Sequence, residues 1–111
     1  MNGYDGIVLA PGSPGNIIFN WPNGAGGNAN LTGFTANCLV VGAAAQGTRA
    51  AFAAACSFEI LNPATGQVKL RIGWVEGWIE GELGRVVGRV IPPVGDSQST
   101  NAISVRVGLP K

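Results

Sequence analysis

The chain is 111 residues long and carries seven basic and six acidic side chains, two cysteines and no histidine. That length holds one domain. Charged residues make up 12% against an ordinary ~25%, so solvated surface is scarce and the composition predicts surface buried in an assembly. A net charge of +1 with no basic stripe argues against nucleic acid as the main partner. The missing histidine removes Ser-His-Asp and Cys-His catalysis, and two cysteines alone do not make a zinc site. No enzyme activity and no cofactor are expected.

Sixteen of the first thirty residues are Gly, Pro or Asn, a composition of turns and extended chain. The clusters Gly12-Ser13-Pro14-Gly15 and Gly24-Ala25-Gly26-Gly27 lack the lysine of a phosphate-binding loop and read as turns. Apolar patches at Ile7-Val8-Leu9, Ile17-Ile18-Phe19 and Trp21 ask to be buried. Residues 1–30 are therefore expected as an extended arm on a partner, anchored by Ile17, Ile18, Phe19 and Trp21, with a flexible tail or two edge strands of the same domain as the alternative. Residues 31–111 are expected as a single β domain. The start has no basic n-region, so no secretory signal is read, and no apolar run is long enough to span a membrane.

From Leu31 to Ala45 the side chains are apolar or small on both parities, the pattern of a strand covered on both faces. Residues 49–61 suit helix by their alanines, but Phe52, Cys56, Phe58 and Ile60 all fall on even positions, and period two favours a strand. A tight loop at Gln46-Gly47-Thr48 would then set Cys38 opposite Cys56, as reduced core thiols.

Asn62-Pro63-Ala64-Thr65-Gly66 predicts a turn. The return strand places Val68, Leu70, Ile72 and Trp74 on one face, pairs Phe58 with Leu70 and sets Glu59 opposite Lys69. The repeat Gly73-Trp74-Val75-Glu76, Gly77-Trp78-Ile79-Glu80 predicts a second strand. If the chain turns at Glu82-Leu83, Glu80 meets Arg85, Glu76 meets Arg89, and Gly77 faces Gly88 across a gap that a bulky neighbour fills. Pro92-Pro93 ends that hairpin, and a last strand buries Ile103, Val105, Val107 and Leu109.

These elements predict an all-β fold, a small sandwich or barrel of about six to eight strands with an extended N-terminal arm. Trp74, Glu76, Trp78 and Glu80 would share one strand face, either an interface ladder or a platform for sugar. An oligonucleotide-binding barrel fits the length but asks for more basic charge.

The apolar arm MNGYDGIVLAPGSPGNIIFNW and the strand-rich remainder resemble, in build, the small decoration or cement proteins of tailed phages. The resemblance implies a non-enzymatic structural subunit that forms a homo-oligomer, a trimer by choice of symmetry, and stabilises a larger shell such as a capsid. Its place would be the virion, or otherwise the cytoplasm. The alternative is a carbohydrate- or receptor-binding module using the Trp74/Trp78 face.

Overall fold

A computed structural model describes residues 6–42 and 44–108. Two β-sheets pack face to face. The first has the order β1 (Gly6–Leu9), β8 (Ile103–Val107), β6 (Gly81–Ile91), β3 (Thr35–Val41), with the short β7 (Gln98–Ser99) pairing the far end of β6. The second has the order β2 (Gly15–Asn20), β5 (Gln67–Ile72), β4 (Cys56–Asn62). A small all-β sandwich is the result.

Alternation decides what goes inside. Ile7 and Leu9 of β1, Val86 and Val90 of β6, and Ile103, Val105 and Val107 of β8 line the inner face of the first sheet. Phe58 of β4 and Val68, Leu70 and Ile72 of β5 answer from the second. Phe58 lies against Gly88, where a Cβ would stand 2.8 Å from its ring. The gap expected at Gly88 is thus real, but the filler comes from the facing sheet and Gly77 is not its partner.

The turn at 62–66 and the return strand follow the sequence reading: Gly66 takes φ +71°, Phe58 pairs with Leu70, and Glu59 pairs with Lys69 at an N···O distance of 3.5 Å. The last strand buries Ile103, Val105 and Val107 as expected, while Leu109 lies outside the described residues.

Four readings change. Residues 49–55 form a helix, α1 (Arg49–Ala55), because Thr48 caps it, its Oγ1 accepting the Ala51 N–H at 3.1 Å. Alanines carry no parity, so period two there rested on Phe52 alone. Next, β3 and β4 belong to different sheets, so Cys38 stands opposite Gly88 and Cys56 opposite Ile72, not opposite each other.

The hairpin expected over 73–89 is absent. Residues 73–80 are not strand, and 81–91 run as one continuous strand whose partners are β3, β8 and β7. Gly77, at φ +99°, turns the chain where the repeat suggested extension. The arm is the fourth. Within its described part, β1 adds to β8 in parallel and β2 to β5 in antiparallel, one edge strand to each sheet. Residues 1–5 lie outside the described residues.

Candidate functional site

Ile17 and Phe19 face inward from β2, opposite Leu70 and Val68. Trp21 is 2% exposed. Its ring packs edge to face on Phe58 with centroids 6.3 Å apart. Of the four expected anchors, only Ile18 presents its side chain to solvent. The apolar patches of the first thirty residues are spent largely on the core of their own domain.

Trp74, Glu76, Trp78 and Glu80 do not share a strand face. Trp78 is 8% exposed and meets Trp74 edge to face, with an interplanar angle of 81°. Its other side meets Phe52 of α1 at 6.2 Å. A flat double-indole platform is therefore not formed. Glu76 and Glu80 are exposed, and between them Ile79 projects with 70% of its surface free.

The loop that carries them is fastened. Gln46 donates through Nε2 to the Ile79 carbonyl at 2.8 Å and the Glu82 carbonyl at 3.2 Å, and its Oε1 accepts the Ile79 N–H at 2.9 Å. One side-chain amide takes the place of a strand partner, so the loop's backbone polar groups at Ile79 are satisfied.

The outer face of the first sheet lies beside this loop in sequence. Across it run Val41 opposite Arg85, Leu39 opposite Val87 and Asn37 opposite Arg89, with Ser104 on the far side of Arg85 and Arg106 opposite Glu82. A bulge at Leu83 turns both Leu83 and Gly84 inward and returns Arg85 to the outside. Leu39 is 45% exposed, against the expectation that this strand is covered on both faces. Arg89 donates from Nε to Asn37 Oδ1 at 3.1 Å. Among the described residues the ion pair within 4 Å is Lys69–Glu59, on the other sheet. The outer face was missed in the sequence because Arg85 and Arg89 were assigned to a hairpin. The signal for it was the Val86-Val87 and Val90-Ile91 doublets of β6, apolar on both parities.

The rest of the surface offers little chemistry. Burial pushes the Cys56 thiol up to about 12, with Cys38 adding to the rise, and burial raises Cys38 as well. Both thiols are free, and both are protonated at neutral pH, the unreactive form. Among the described residues no three His, Cys, Asp or Glu side chains are placed to hold a metal, and no helix is long and apolar enough to cross a membrane.

A cavity of about 720 Å³ opens beside Trp21. Leu31, Phe34 and Ala29 are among its apolar lining and Asn30, Gln98 and Ser99 among its polar lining. The Trp21 indole N–H donates to Gln98 Oε1 at 3.0 Å, which fixes the amide's orientation and leaves its NH₂ as a donor. Comparison with protein-family models, curated proteins and solved structures finds no match for this chain.

Proposed function

We propose that this chain is a non-enzymatic structural subunit that associates with copies of itself and covers part of a larger protein shell, in the manner of a capsid decoration or cement protein. The observation that carries the reading is the exposure of Val8, Leu39 and Ile79 on a chain with only 12% charged residues. Apolar side chains left open on a chain with so few charges are what a subunit covers on assembly. The non-enzymatic reading is supported by the raised thiols, protonated at neutral pH, and by the lack of histidine, the commonest general base. Closure of copies into a ring, with three as the expected number, follows the resemblance in build.

Density-gradient centrifugation of the native protein tests the reading. It should sediment with particles far larger than one chain and leave them when they are dissociated. A native pool at the mass of a single chain would contradict it.

The alternative, a carbohydrate-binding module, draws its support from the cavity beside Trp21 and not from Trp74 and Trp78. Its volume falls in the ~300–1,000 Å³ of ligand pockets, and its named polar groups are uncharged. Titration with neutral mono- and disaccharides, followed by tryptophan fluorescence, separates the two. Saturable quenching that is lost in Gln98→Ala favours the module.

A further inference from the structure

Two open surfaces of this chain complement each other. The outer face of the first sheet sets Leu39, Val41 and Val87 among Arg85, Arg89 and Arg106, with Glu82 as its one acid. The loop before β6 sets the exposed Ile79 between Glu76 and Glu80, with no basic residue from 73 to 84. One surface is apolar with a basic surround. The other is an apolar point with an acidic surround.

The outer parity of β3 and β6 mixes apolar Leu39, Val41, Val87 and Ile91 with Arg85 and Arg89, and Leu39 there is left 45% exposed. The two sign-matched sets also cannot meet fully within one chain. Glu80 and Arg89 are nine residues apart, with all but Glu80 in the continuous strand β6, so at ~3.3 Å per residue they stand ~30 Å apart. Neither pair of the expected hairpin, Glu80–Arg85 or Glu76–Arg89, forms an ion pair within 4 Å among the described residues, which leaves these charges for a second copy.

We infer that this chain assembles head to tail, Ile79 of one copy seating against Leu39 and Val87 of the next while Glu76 and Glu80 meet Arg85 and Arg89. This rests on the self-association proposed above and names its surfaces. A heterologous contact of this kind closes into a ring or extends into a filament. Fastening by Gln46 holds the acidic loop ready, which lowers the ordering cost of binding. Four strands at ~4.8 Å and seven residues at ~3.3 Å give the face on the order of 400 Å² in projection. That is below the ~800 Å² per partner of a standard interface. Association is accordingly concentration-dependent and weakened by salt.

The test uses two charge-reversed forms of the full chain, Arg85→Glu with Arg89→Glu, and Glu76→Lys with Glu80→Lys, studied by sedimentation velocity. Each alone sets like charges against each other and should need more than about a hundredfold higher concentration to associate. In the equimolar mixture each contact between unlike forms sets opposite charges together, so mixed pairs and alternating open chains should form again even though a ring of three keeps one like-charged contact, and this recovery also shows that both forms are folded. A third form, Ile79→Ser, changes an exposed side chain and should weaken association with unaltered thermal unfolding. If the unmodified chain associates and the reversed forms associate equally well, or their mixture fails to recover, the head-to-tail surfaces are overturned while self-association stands. If the unmodified chain is monomeric throughout, both readings fall.

Discussion

Replacing Gly88 with alanine asks how tightly the two sheets are packed. The added methyl would stand 2.8, 2.9 and 3.0 Å from three atoms of the Phe58 ring, closer than carbon atoms approach without displacement. Neither side yields readily. The Phe58 ring has Phe19 and Trp21 at centroid distances of 6.3 Å each. Gly88 is pinned by Thr100, whose N–H donates to the Gly88 carbonyl at 2.8 Å and whose Oγ1 accepts the Gly88 N–H at 3.1 Å. Overpacking of this kind costs about 1–3 kcal/mol, and at this chain length about 4 °C of melting temperature is lost per kcal/mol. Thermal unfolding followed by circular dichroism should therefore show Gly88→Ala melting about 4–12 °C below the parent. The double change Gly88→Ala with Phe58→Leu should recover part of the loss, because the smaller side chain makes room. A Gly88→Ala form that melts with the parent would refute the packing of Phe58 of β4 against β6.

Thr100 is buried and its hydroxyl also donates to the Asn101 carbonyl at 2.8 Å. Thr100→Val keeps the shape, leaves both groups unpaired and should cost about 1–3 kcal/mol by urea unfolding. Phe52 is buried between Trp78 and Gly84, so Phe52→Ala should cost about 3–5 kcal/mol by the same measurement. Thr48→Ala, which removes the cap of α1, should cost about 0.5–2 kcal/mol. The Cys56 thiol titrates at about 12 in the folded chain and at 9.0 ordinarily, so the unfolded chain loses this proton first. Its contribution is intact below pH 9 and is lost as pH rises toward 12. The parent should thus lose more stability over that interval than Cys56→Ala, and parallel curves would count against the burial of the thiol.

Much of the fold was legible where side chains alternate between large apolar and polar groups. In β5, Val68, Leu70 and Ile72 against Lys69 and Arg71 left only one register, and the turn residues Pro63 and Gly66 fixed its start. The reading failed where the residues were mute or doubly apolar. Alanines 50, 51 and 53–55 fit a helix or a strand equally, and the Thr48 cap decided for helix. Glu76, Glu80, Arg85 and Arg89 formed a convincing hairpin register on paper. Competing partners for β6 on both edges, together with the turn at Gly77, gave a longer strand with more ladder bonds. Residues 6–30 joined the domain because their apolar patches complete both sheets. The outer side of β6 was foreshadowed only by its Val86-Val87 and Val90-Ile91 doublets, whereas the cavity beside Trp21 had no signal in the sequence, because Trp21 and Gln98 lie 77 positions apart.

Self-association is the claim on which the functional account stands, and sedimentation velocity of the unmodified chain tests it most directly. Over roughly a thousandfold range of concentration the account predicts a rising weight-average sedimentation coefficient, with the transition moved to higher concentration by added salt. A single species at the mass of one chain over the whole range, unmoved by salt, would contradict it.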